Sequence, residues 1–210
     1  MELNEKWFRR GFSVFLFLIL ISGGLGIIHE GHAGATESMF LHRYVGVQSC
    51  EACHSSALLG KQFQSWKSGP HSRAYTDLSS TEAIDIGKRL GVSDPKTSQR
   101  CLSCHVTAPN ASLPEAVSTF RMKDGVQCES CHGAGEDYAH YSVMIDPQKA
   151  KDAGLVIHPD KQTCVTCHNS SSPTYRGFDE KSAMQQIAHP LAPAIRENLP
   201  KLHHEEGIHG

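Results

Sequence analysis

The stretch Cys50-Glu51-Ala52-Cys53-His54 decides how this chain is read, because its pattern returns three more times. Cys101-Leu102-Ser103-Cys104-His105, Cys128-Glu129-Ser130-Cys131-His132 and Cys164-Val165-Thr166-Cys167-His168 repeat it, and the four copies consume all eight cysteines. Two thiols on one turn of backbone match the two vinyl groups on one edge of a porphyrin. The adjacent imidazole then lies beneath the iron as its proximal ligand. C-x-x-C-H is therefore read as c-type haem attachment. Cys50, Cys53, Cys101, Cys104, Cys128, Cys131, Cys164 and Cys167 are the expected thioether anchors, and His54, His105, His132 and His168 the proximal ligands. The expected cofactor is four covalently bound haem c groups with their iron. Paired C-x-x-C motifs could instead build Cys₄ zinc sites, a thioredoxin-like couple or plain disulfides. None of these requires a histidine at the same place after every pair.

The amino terminus fits the compartment that this chemistry needs. Lys6, Arg9 and Arg10 precede an apolar run from Phe12 to Ile28, broken by Ser22-Gly23-Gly24, and Ala33-Gly34-Ala35 offers a small-residue cleavage pattern. Residues 1–35 are read as a secretory signal, and 36–210 as one tetrahaem cytochrome c domain. If the apolar run were retained it would anchor the chain, being close to a bilayer span in length. Either way the remainder is expected on the periplasmic or extracellular side, since c-type haem is attached outside the bacterial cytoplasm.

Removing 35 of the 210 residues leaves 175 to enclose four haems. So short a chain cannot build a large side-chain core around each macrocycle, and the haems themselves are expected to be the core. The formal net charge is −2, and ionised propionates would make the loaded protein more acidic still. No basic stripe suggests nucleic acid. The spacings between motifs are unequal, so a cofactor site recurs here and not a structural repeat.

Strand signals are scarce, and the fold class is expected to be mainly α with extensive irregular loops. Ser55 to Ser68 reads as a helix with Leu59, Phe63 and Trp66 on one face, ended by Gly69-Pro70. Thr81 to Leu90 reads as a second, closed by Gly91. Asp179 can cap a third that gathers Ala183, Met184 and Ile187 before His189-Pro190 stops it. Pro193 to Leu199 reads as a short fourth, whereas Ser103–Leu113 and Asn169–Thr174 read as loops.

A six-coordinate haem needs a second axial ligand. Of 14 histidines, four are proximal, and His29 and His32 fall in the presumed signal. His42, His71, His140, His158, His189, His203, His204 and His209 remain, a large reserve of imidazole.

The sequence here resembles the tetrahaem cytochrome c-554 family, known from nitrifying bacteria. The resemblance is carried by Trp66-Lys67-Ser68-Gly69-Pro70-His71-Ser72-Arg73-Ala74 after the first motif, and by Gly125-Val126-Gln127-Cys128-Glu129-Ser130-Cys131-His132-Gly133-Ala134-Gly135 around the third. Phe178-Asp179-Glu180 adds to it, standing at the family-like distance before His189. The resemblance implies that His140 ligates the haem on His54, His71 the haem on His168 and His189 the haem on His132. The haem on His105 would have no distal histidine and stay five-coordinate. His158 could approach that open haem or bond a propionate. His42 and the tail histidines read as solvated, although they could serve a neighbouring subunit, and Met39, Met122, Met144 and Met184 read as packing.

What this implies is electron transfer rather than catalysis. The expected partners are redox protein donors and acceptors, and in nitrifiers the family passes electrons from hydroxylamine oxidoreductase toward the quinone pool, as through a quinone-linked membrane cytochrome. The membrane would be a partner only if the amino-terminal segment were retained. One competing reading is an enzyme that reduces a small nitrogen oxide at the haem on His105. Another is a subunit of a polymeric cytochrome assembly.

Overall fold

The computed structural model describes residues 42–110, 115–189 and 193. These belong to the compact unit from Phe40 to Gly210. The expected signal at 1–35, the histidines at 203, 204 and 209, and all of the expected 193–199 helix except Pro193 lie outside the described residues.

The described chain is helical. Ten α-helices follow one another: α1 (Val47–His54), α2 (Gln62–Ser68), α3 (Ala74–Asp77), α4 (Thr81–Arg89), α5 (Gln99–His105), α6 (Glu129–His132), α7 (Tyr141–Met144), α8 (Pro147–Asp152), α9 (Lys161–Val165) and α10 (Glu180–Ile187). Short 3₁₀ turns occupy His71–Arg73 and Met122–Asp124. Among the described residues β-structure amounts to one parallel bridge between Tyr44 and Ala116. The fold is mainly α with long irregular connections, and no described helix is long and apolar enough to cross a membrane.

Local chemistry explains where the helices begin and end. The Ser80 hydroxyl accepts the Ala83 amide at 3.1 Å and starts α4. Gly91, at φ +70°, ends it, with the Val92 N–H donating back to the Gly87 carbonyl at 2.8 Å. Asp179 caps α10 as its sequence position foretells, accepting the Ser182 amide at 2.7 Å.

The Ser55–Ser68 helix is shorter than the apolar spacing suggests. The amides of Gly60 and Lys61 both turn back to the Ser56 carbonyl, at 3.1 and 3.0 Å. Gly60 and Lys61 take φ values of +107° and +56°, which a right-handed helix cannot contain, so helix resumes only at Gln62. Phe63 and Trp66 still meet, at 5.6 Å between ring centroids. The expected loop at Ser103–Leu113 is likewise corrected at its start, since α5 runs through His105 and carries the second motif on helical backbone. Asn169–Thr174 is turn structure as read.

Apolar burial is sparse. Leu78, Leu102 and Val106 form one small cluster, with Tyr75, Cys101 and Met122 against it. A polar clamp does much of the remaining work. Gln127 and Thr107, both 2% exposed, are joined by a 2.7 Å bond from the Gln127 amide to the Thr107 hydroxyl. The Gln127 side chain accepts the Val47 amide at 2.8 Å and donates to the Arg121 carbonyl at 2.9 Å. Beside it the Trp66 indole donates to the Val126 carbonyl at 2.8 Å, and the Val126 amide donates to the His71 carbonyl at 3.0 Å. The segment before the third motif thereby grips the one that carries His71.

Candidate haem attachment sites

Each C-x-x-C-H motif sits on, or at the end of, a helical turn. The first closes α1, the second closes α5, the third makes up most of α6, and the fourth begins in α9 and runs into the turn after it. All eight cysteines are free thiols. Among the described residues no three His, Cys, Asp or Glu side chains converge as a metal cage.

The thiols of different motifs adjoin. Cys50 adjoins Cys128, and the interaction of the two, together with burial, raises the Cys50 thiol far above its ordinary range. Cys104 adjoins Cys167, and burial is the main reason Cys167 is pushed up to about 11. Burial also raises Cys131, helped by the nearby Cys164. The contacts order the motifs first, third, fourth, second.

The motif histidines are oriented through one ring nitrogen. His105 Nδ1 lies 2.6 Å from the Ala74 carbonyl and His132 Nδ1 2.6 Å from the Val156 carbonyl. His54 Nδ1 lies 3.3 Å from Gln62 Oε1. A carbonyl partner makes Nδ1 the donor and leaves the Nε2 lone pair for a metal. His168 is held differently, by near-parallel stacking on Phe178 at 5.1 Å and 20°.

Two imidazole pairs face each other across distant stretches of chain. His71 and His168 stand 6.2 Å apart between ring centroids, and His132 and His189 stand 5.9 Å apart. A metal–imidazole bond is about 2 Å, so two such bonds plus the offsets of the ring centres span about 6 Å. Burial lowers His71, His132 and His189 below the usual imidazole range, with the facing ring adding to the effect at His71 and His189 and with His54 and His158 adding to it at His132, and favours the neutral form that can ligate. His189 Nδ1 is buried without a hydrogen-bond partner among the described residues. Facing neutral rings, an orphaned ring nitrogen and adjoining thiol pairs are the donor set that covalent haem requires.

The remaining histidines are placed as follows. His140 is exposed just before α7, interacts with Glu136 and makes no ring contact with His54. His158 is exposed and acts on His132. His42, exposed, is hydrogen-bonded to Asp137. Among the described residues no imidazole is in ring contact with His105, which borders the Leu78 cluster through Cys101 and Leu102. Sequence reasoning passed over Phe178 as a support for His168. It also passed over Glu129, which lies inside the third motif and is only 3% exposed.

Residues 49–133 match the family model described as cytochrome c554 and c-prime. This segment is similar to the cytochrome c554 family. Cytochrome c-554 of Nitrosomonas europaea is 28% identical over 123 residues, which are 57% of this chain and 48% of that protein. The chain thus spans about half the length of the curated relative it matches. The solved reduced state of cytochrome c554 from Nitrosomonas europaea aligns over 69% of this chain and 77% of its own, at 23% identity and a TM-score of 0.43. The family match spans the first three attachment motifs.

Proposed function

We propose that the chain is an exported electron carrier that holds four haem c groups, one on each motif. The observation that carries this reading is the facing of His71 on His168 and of His132 on His189, two proximal positions each met by an imidazole from elsewhere in the chain. When bound, the haems would supply reversible one-electron chemistry at iron. The chain's own part is anchorage, orientation and exclusion. The cysteine pairs fix each porphyrin edge. The carbonyls of Ala74 and Val156 fix the tautomers of His105 and His132. His71 with His168 and His189 with His132 would hold the iron between facing rings and so keep substrates and water from those two sites. His140 serves the site on His54. The order of adjoining thiols gives a path from the first motif through the third and fourth to the second. Redox proteins exchange electrons at the two ends of that path, on the periplasmic side.

The position opposite His105 stands open in this reading. A second reading, reduction of a small nitrogen oxide there, follows from the family resemblance, which supplies no distal histidine for the haem on His105. Electron paramagnetic resonance of the oxidised holoprotein tests both. Carriage with one open site gives three low-spin irons and one high-spin iron. Nitric oxide or nitrite is then added, and turnover is followed beside the spectra: binding without turnover leaves a carrier, and sustained reduction makes an enzyme. A colourless exported protein would end both readings.

A further inference from the structure

Glu129 occupies the first variable position of the third attachment motif, where Glu51, Leu102 and Val165 stand in the other three. It is 3% exposed. A buried carboxylate is costly unless its surroundings compensate the charge. Here Oε1 accepts the amides of Val45 and Gly135, and Oε2 accepts the amide of Gly46, each at 2.8 Å. The neighbouring Tyr138 hydroxyl donates elsewhere, to the Gly133 carbonyl at 2.6 Å. Three N–H donors on two oxygens are the environment of an acceptor-only anion. Burial leaves this carboxyl above its ordinary range, although the three amides pull it part of the way back. The geometry decides for the ionised form.

The charge is placed between thiols of two motifs: Glu129 directly follows Cys128 of the third, and Gly46, whose amide holds Oε2, has its carbonyl 3.9 Å from Cys50 Sγ of the first. Gln127, two residues earlier, supplies a natural comparison. It ties the same amino-terminal segment through the Val47 amide at 2.8 Å, equally buried but without charge. Gln127 accepts one amide on its single oxygen, whereas Glu129 accepts three on two, which a neutral amide cannot do, so this position fixes a charge as well as an anchor.

We propose that Glu129 is a fixed, buried anion that lowers the reduction potentials of the haems anchored at the first and third motifs. A negative charge beside a haem favours the ferric over the ferrous state, so this pair gives up electrons more readily, and flow is biased toward the fourth and second motifs. The inference rests on the reading of these motifs as haem sites.

Holoprotein carrying Glu129→Gln or Gln127→Ala is titrated by spectroelectrochemistry beside the wild type. Glu129→Gln raises two of the four midpoints. Gln127→Ala lowers the melting temperature and leaves the midpoints in place. Unchanged midpoints in a Glu129→Gln protein bearing all its haems overturn the inference, as does an equal rise in Gln127→Ala. Should Glu129→Gln fail to mature, redox-difference infrared spectra of wild type with ¹³C-labelled glutamate decide. An isotope-sensitive ionised-carboxylate band shielded from solvent exchange that shifts on reduction supports it, and a protonated carboxyl band or no response overturns it. Missing Soret absorption in the wild type would instead end the haem reading itself.

Discussion

Gly125 is the residue whose conformation the rest can least replace. It sits at φ +79°, and a Cβ added there would lie 2.6 Å from the His71 carbonyl. Gly125→Ala therefore strains the backbone and pushes on the segment that presents His71. The expected cost is about 1–3 kcal/mol, read as a lower melting temperature of the holoprotein together with partial loss of one low-spin signal. Trp66→Phe, by contrast, keeps the aromatic packing on Phe63 and loses only the bond to the Val126 carbonyl, a cost of about 1 kcal/mol. A melt that showed the two variants equal would remove the steric argument. Sequence alone exposed the thiols and their following histidines because their spacing is local. It could not expose the role of Glu129 or Gln127. A charged or amide residue inside a motif reads as solvated, and the amides that hold these two come from positions 45 to 47 and, for Glu129, 135.

At the level of the helix, legibility followed the caps. Gly91 and Asp179 each announced an end of α4 or α10 correctly, since capping is a contact over three or four residues. The apolar spacing from Leu59 to Trp66 did not announce the break at Gly60-Lys61, because both amides there are taken by the Ser56 carbonyl, a turn that periodicity does not encode. The caps are also where helix stability can be tested. Asp179→Ala removes the acceptor of the Ser182 amide and should cost about 1 kcal/mol. Because α10 ends just before His189, the loss should appear as a lower temperature for conversion of one haem from low to high spin. Asp160 caps α9, which leads into the fourth motif, and bonds from the Thr163 amide and hydroxyl hold its carboxyl below the ordinary range. A folded-state depression of this kind stabilises above the unfolded carboxyl range of about 4 and fades as pH falls through the lower folded value. Melting temperatures of wild type and Asp160→Asn should therefore differ at pH 6 and converge in acid.

The whole molecule has few side chains with which to fold. Its buried apolar residues among those described are Val45, Val47, Phe63, Leu78, Leu102, Val106, Ala116, Tyr138 and Ala150, of which only Leu78, Leu102 and Val106 gather into a cluster. Cofactor anchorage must then carry much of the folding free energy, as it does wherever a site is preformed only in the native state. The four anchors should not contribute equally. The third motif adjoins the first through Cys128 and Cys50 and the fourth through Cys131 and Cys164. Its Glu129 also holds the segment that leads into α1. The second motif stands at the end of the series and has the Leu78 cluster beneath it to fall back on. Replacing Cys128 and Cys131 by serine should consequently prevent accumulation of folded protein. Replacing Cys101 and Cys104 should yield a three-haem species that still melts cooperatively, at a lower temperature. Intact mass gives the haem count and far-ultraviolet circular dichroism gives the melt. Equal tolerance of the two double replacements would mean that the third motif is not the keystone of the fold.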